Sequence, residues 1–154
     1  MAKETKKCAF CGSSALTDVI DFGTVAIAGA FLKKEEFAKE KKYPLVIVFC
    51  TKCFAVQVRD HIDPKVLFKH DFYFSSAIKT LRDHFAEYAV EVTARFLRNP
   101  QTSVVVEFGC NDGVLLKPFA DQGVRTVIGI DPAENIIKTI ADDRLTLVND
   151  FFNV

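Results

Sequence analysis

Two cysteine pairs, Cys8-Ala-Phe-Cys11 and Cys50-Thr-Lys-Cys53, constrain this chain more than any other feature. In each, the C-x-x-C spacing lets two sulfurs meet one ion while nearby backbone N–H groups point back at them. Four thiolates close a tetrahedral shell around Zn²⁺ and leave no open position, so such a site is structural rather than catalytic. Apolar Phe10 and Phe54 are the expected shields. Disulfides, or four buried free cysteines, are the alternatives. The N-terminus MAKETKKCAF is charged and lacks the apolar core of a signal peptide, which implies a cytoplasmic protein. In that reducing compartment paired cysteines hold metal more readily than they form disulfides. Metal binding would then contribute much of the folding free energy of a segment with a thin core.

The chain has 154 residues, enough for one ordinary domain or two small ones. Lys+Arg and Asp+Glu are both 20, and this balance argues against a protein whose main task is neutralising a phosphate backbone. Lys33, Lys34, Lys39, Lys41 and Lys42 cluster, but Glu35, Glu36 and Glu40 interleave with them, as on a solvated helix face. No apolar stretch is long enough for a membrane span. Two regions follow from the change in period. Residues 1–70 hold four of the five cysteines and short strand-like segments at 16–22, 44–50 and 54–60, with a short helix within 33–42 and a helical turn at 63–68 capped by Asp63. In residues 71–154 a helix capped by Ser75 or Ser76 runs to about Leu97, and strands then alternate with helices: SVVVEFG, VLLKPFADQG, TVIGID, AENIIKTIADD, LTLVND. Near-continuous apolar strands separated by helices predict a parallel sheet covered on both faces. The expected fold class is α/β, a small β-rich zinc domain followed by the first half of a Rossmann-like sheet. The sheet stops after three strands, so the chain reads as part of a longer protein, or as a small domain completed by a second chain.

The first of these strands ends in Glu107-Phe-Gly-Cys-Asn-Asp-Gly113. Gly109 and Gly113 let backbone approach a ligand, and the helix that follows offers free N–H groups. The spacing is not the G-x-G-x-x-G of a pyrophosphate cradle. Glu107 instead suits the amino-acid end of S-adenosylmethionine (SAM), either orienting the loop or meeting the ammonium through water. Asp131, at the end of the second strand, is placed to accept the ribose hydroxyls. Asp150 and Phe151, after the third, are placed to reach the adenine. The three strand ends together predict a SAM-type site. A dinucleotide cofactor, or a bare scaffold in which Asn-Asp-Gly is a turn and Asp131 a helix cap, are the alternatives.

The order C-x-x-C, C-x-x-C, Tyr73-Phe-Ser-Ser, Glu-Phe-Gly-Cys-Asn-Asp-Gly and Gly129-Ile-Asp-Pro-Ala resembles one family over essentially the whole chain. It is similar to the zinc-containing sugar C-methyltransferases, which methylate nucleotide-linked 4-keto sugars. The resemblance implies that Glu107, Gly109, Asn111, Asp112, Gly113, Asp131 and Pro132 line a SAM site in a class I methyltransferase domain, and that Tyr73 sits near the reacting methyl or the sugar. Ser75, Ser76 and His84 belong to the same helix-opening motif. The chain departs from the family at Asp71, where a second Tyr is frequent, and at Ala26-Ile-Ala-Gly29, in place of a Pro-Leu-Ala-Asn run. The family's proposed acid–base residues lie beyond Val154, so a missing C-terminal domain or partner chain is implied, and this chain alone is expected to be inactive.

C-methylation needs a carbanion or enolate beside a keto group, hence a base and an oxyanion partner. Tyr73 and His84 are the candidates within the chain, whereas His61 and His70 read as surface or packing residues and Cys110 as a small filler. Two other functions compete with a nucleotide-sugar methyltransferase: a zinc-bearing RNA methyltransferase or nucleic-acid-binding module, which the zero net charge disfavours, and a non-catalytic assembly domain.

Overall fold

The computed structural model describes residues 3–69 and 72–152, and the chain divides into two compact units, 1–67 and 68–154. The boundary expected between 70 and 71 falls on His70 and Asp71, which lie outside the described residues.

The alternating segments of the first unit form antiparallel strands. Strand β1 (Lys3–Glu4) pairs with β5 (Asp60–His61), and β2 (Leu16–Ala26), β3 (Lys42–Cys50) and β4 (Val56–Val58) form a second sheet in the order β2-β3-β4. β2 is longer than its pattern predicts because register shifts near Val19 and Phe22–Gly23 let the pairing with β3 continue to Ala26. The Arg59 guanidinium ties the sheets together. It donates to Asp18 at 2.9 Å and Asp60 at 3.3 Å and faces Glu4 at 4.0 Å. The charged segment is a 3₁₀ turn (Lys34–Lys39), and Asp63 Oδ1 accepts the Lys65 N–H at the start of α1 (Pro64–Phe68).

The second unit holds the strand–helix alternation. Helix α2 (Lys79–Phe96) precedes β6 (Val104–Phe108), α3 (Leu116–Asp121), β7 (Thr126–Ile130), α4 (Glu134–Ile137) and β8 (Leu145–Val148). The strands are parallel in the order β6-β7-β8, so each return passes through a helix. Side chains alternate along each strand, and only one face is closed by the unit's own helices. Val105, Val127, Leu145 and Leu147 pack there with Ala89, Leu116, Phe119 and Ile137. The opposite face carries exposed Val104, Val106, Phe108 and Val148. Coverage of both faces is therefore corrected to coverage of one. Three strands with their connecting helices place every helix of this unit on a single side.

A second correction concerns the start of α2. Neither Ser75 nor Ser76 caps it. A 3₁₀ turn (Ser75–Ala77) comes first, and Ile78 stands at the N-cap without a side-chain bond. The Ser75 and Ser76 amides are held instead by the loop after β6.

Candidate functional site

The two C-x-x-C pairs fold into the same knuckle twice. The Cys8 N–H donates to Ser13 C=O and the Gly12 N–H to Cys8 C=O; likewise the Cys50 N–H donates to Ala55 C=O and the Phe54 N–H to Cys50 C=O. The residue that closes each turn is left-handed, Gly12 at φ 69° and Phe54 at φ 64°. This position suits glycine, so Phe54 carries a backbone cost of about 1 kcal/mol, and Phe54→Gly is expected to raise the thermal midpoint of this unit by a few degrees. The expected shielding does not occur, since Phe10 is 74% and Phe54 72% exposed. The left-handed turn swings the Phe54 ring outward toward Phe49, 6.1 Å between centroids.

All four sulfurs lie within 4.8 Å of one another, with Cys8–Cys53 at 3.6 Å and Cys11–Cys50 at 3.7 Å. A tetrahedral shell with Zn–S bonds of about 2.3 Å has sulfur edges of about 3.8 Å, so the cluster fits zinc. The distances are too long for disulfides, and all five cysteines are free. Without a cation the sulfurs cannot all ionise together. The Cys50 thiol is pulled down to about 6, chiefly by the Cys53 backbone N–H, against the effect of burial. At Cys53 the Ala55 backbone N–H favours the thiolate, but burial and the sulfurs of Cys11, Cys8 and Cys50 outweigh it and push the thiol up to about 12. A divalent cation removes that conflict.

In the second unit, a cavity of about 240 Å³ lies at the C-terminal ends of the strands. It is lined by Phe68, Gly109, Asp131, Pro132, Ala133 and Phe151. Gly109 (φ 76°) and Gly113 (φ 75°) turn the chain between β6 and α3. Asp131 is buried; Oδ2 accepts the Asn111 N–H at 2.8 Å and Oδ1 the Ala133 N–H at 2.8 Å, which leaves one lone pair on each oxygen. Glu107 points to the covered face beside Asp131, and its Oε2 is buried without a hydrogen-bond partner among the described residues. Burial, then the Asp131 charge, push the Glu107 carboxyl up to about 7. Cys110 is pushed up to about 12 by burial, then by Asp131, Glu107 and Asp112, which rules it out as a nucleophile at neutral pH.

The raised Glu107 pKa has a sign. Between the ordinary value of 4.5 and about 7 the folded chain holds a proton that the unfolded chain has released. Stability therefore falls as pH rises through that window. Glu107→Gln is expected to stabilise this unit at about pH 8 by about 1–2 kcal/mol, the figure being reduced because the carboxyl keeps some contact with water, and to leave stability at about pH 4 little changed. Urea midpoints of both proteins at the two pH values check this.

The structure gathers some expected residues and not others. Gly109, Asp131, Pro132 and Phe151 border the cavity, but Asp150 does not. Its carboxylate is exposed and turns back to the Phe151 N–H at 2.7 Å. Asn111, Asp112 and Gly113 are not among its lining residues, although the Asn111 N–H donates to Asp131 Oδ2 at its edge. The Tyr73 side chain is 49% exposed and is not part of the lining. His84 is exposed on α2 between Phe85, at 5.6 Å, and Tyr88, at 6.3 Å. Phe68 and Ala133 are lining residues that sequence reasoning missed. Ala133 follows Asp131-Pro132 directly, but nothing in the sequence brings Phe68, at the end of α1, to this strand end.

A sulfur cage of zinc dimensions and a strand-end cavity bordered by the Asp131 carboxylate point to a class: a zinc-binding domain followed by a methyltransferase domain that uses SAM. Residues 8–68 match the family described as "Putative zinc binding domain", and residues 81–153 match the family described as "Methyltransferase domain". The chain is 35% identical over 139 residues to the C-methyltransferase NovU of Streptomyces niveus, an overlap of 90% of this chain and 32% of that protein. The chain thus matches a zinc-binding domain and a methyltransferase domain in the order the sequence predicts, and it spans about a third of the length of that relative. No helix among the described residues is long and apolar enough to cross a membrane.

Proposed function

We propose that this chain is the zinc-bearing, SAM-binding part of a cytoplasmic C-methyltransferase acting on a nucleotide-linked keto-deoxysugar, with the remaining acid–base groups supplied by a further domain or chain. The observation that carries the reading is the cavity bordered by Gly109, Asp131, Pro132 and Phe151, together with the buried Glu107 Oε2, which has no hydrogen-bond partner among the described residues and feels the Asp131 charge. The named activity of the NovU relative supports C-methylation.

When bound, SAM supplies a methyl group on a positively charged sulfur, and the reaction is an in-line displacement that neutralises that charge. The roles of the chain's own residues are binding and orientation. Asp131 accepts ribose hydroxyls with its two remaining lone pairs, already oriented by the Asn111 and Ala133 amides. Phe68, Pro132 and Phe151 give the adenine an apolar slot. Glu107, directly or through water, holds the ammonium. Tyr73 faces the reacting carbon or the sugar. His84 takes no part in this reading, because it sits exposed among α2 surface residues.

Calorimetric titration of the whole chain with SAM tests the proposal. Binding is expected to release a fraction of a proton near neutral pH, because a cation beside Glu107 lowers a pKa of about 7. Repeating the titration in buffers of different ionisation enthalpy measures this. Asp131→Ala is expected to weaken binding at least roughly tenfold, since it removes a charged acceptor and frees two amides. Absence of heat with SAM at high protein concentration, or binding of a nicotinamide dinucleotide instead, would sink the reading.

A further inference from the structure

Asn111 is left-handed at φ 47°, a conformation that costs a non-glycine residue energy unless its side chain is used. It is used fully. The Asn111 N–H donates to Asp131 Oδ2 at 2.8 Å, Oδ1 accepts the Ser75 N–H at 2.9 Å, and Nδ2 donates to Tyr73 C=O at 2.9 Å. Next to it, both oxygens of buried Asp112 accept the Ser76 N–H, at 3.0 and 3.3 Å. Ser76 C=O is in turn bonded by the Arg82 guanidinium from α2. The segment 73–76 is thus fastened to the turn after β6 through side chains that do not enter the cavity, and the fastening starts from the carboxylate at the cavity wall.

We propose that Asn111 and Asp112 are positioning residues. They form a clasp that makes the cofactor loop and the Tyr73 segment one body, so that occupation of the Asp131 side of the cavity stiffens the backbone carrying Tyr73. The proposal rests on the SAM reading for its ligand. The chemistry of the clasp is specific to asparagine. One end must accept from an amide and the other must donate to a carbonyl. Aspartate cannot donate, and glycine can adopt the backbone but offers neither group.

Amide hydrogen exchange at Ser75 and Ser76 in the whole chain, with and without SAM, is the test. In the wild-type protein both amides are expected to exchange slowly, and SAM at saturation is expected to slow them further, by roughly tenfold. Asn111→Gly keeps the left-handed backbone and is expected to fold, but to speed Ser75 exchange by roughly tenfold or more, as loss of one buried amide acceptor implies, and to abolish the further slowing by SAM. Asn111→Asp keeps the Ser75 acceptor and loses the Tyr73 donor. It is expected to keep Ser75 protection in the free protein and to weaken the response to SAM. Asp112→Asn is expected to act on Ser76 alone. Ser75 exchange in Asn111→Gly equal to wild type would overturn the clasp. Protection that does not respond to bound SAM in the wild-type protein would overturn the coupling and leave the SAM reading intact. Failure of the wild-type chain to bind SAM in the calorimeter would remove that reading and the coupling with it, while the ligand-free exchange rates would still decide the clasp.

Discussion

Stripping metal from the chain with a strong chelator at neutral pH is expected to unfold residues 1–67 and to leave residues 68–154 folded. Among the described residues of the first unit, the buried apolar side chains are Cys8, Val46, Val48 and Cys50, so half of that core consists of metal ligands. Two valines cannot offset the conformational entropy of some sixty residues, at about 1 kcal/mol or more for each residue ordered. Small zinc-dependent domains take about 10–16 kcal/mol from the metal, and this unit has little else to replace it. The core of the second unit, from Ala89 and Cys110 to Leu116, Phe119, Val127 and Leu145, contains none of the four ligands. Amide correlation spectra should lose the dispersed signals of the first unit on chelation, retain those of the second, and recover on adding zinc. Cys50→Ser should reproduce the metal-free spectrum. Retention of the first unit's dispersed signals in protein shown by metal analysis to be zinc-free would refute this account.

Gly129→Ala is expected to destabilise the second unit by about 1–3 kcal/mol, a large effect for the addition of one methyl group. Gly129 lies in β7 between Glu107 of β6 and Leu147 of β8, on the covered face. A Cβ there would stand 2.5 Å from Leu116 Cδ1, 2.7 Å from Cys110 Sγ and 3.1 Å from Cys110 Cβ. Neither neighbour has room to turn away, as Leu116 is 0% and Cys110 1% exposed. The glycine is therefore a packing requirement: the loop after β6 and the start of α3 rest directly on β7. Cys110→Gly in the same chain should recover part of the loss, because it removes two of the three close approaches, and the two substitutions should be non-additive. Urea unfolding of the four proteins completes the cycle. Equal midpoints for the wild type and Gly129→Ala would show that the interface yields more easily than its packing implies.

Much of this was legible in the residues. The paired C-x-x-C spacing is a local property, and each knuckle closes within a few residues through its own backbone, so the sulfur cage could be anticipated before any fold was known. The strand–helix alternation from Val104 onward is likewise carried by short-range periodicity, and Asp63-Pro64 marked a helix start that the structure contains. The loop Glu107–Gly113 announced itself by two glycines at the end of an apolar strand. What was illegible required partners far apart in sequence. Asp150 was expected at the adenine because it follows the third strand. Side-chain direction after a strand end is set by the next turn, and that turn sends the carboxylate back to the Phe151 amide. Phe68 reaches the cavity from a segment far upstream of the loop, a separation over which no periodicity speaks. The serines at 75 and 76 looked like helix caps, as such residues commonly are, but the backbone winds there into a 3₁₀ turn that puts Ile78 at the cap, and both serine amides bond to Asn111 and Asp112.

Residue types a few positions apart were enough to specify the metal, the class of cofactor and the order of the elements, because the backbone enforces the geometry of each locally. Which side chains face the cavity, which carboxylates are spent on holding the loop, and which face of the sheet this unit leaves open were settled later, by burial and by hydrogen bonds between distant segments. A carboxylate can serve a ligand only with the lone pairs that its own backbone neighbours leave free.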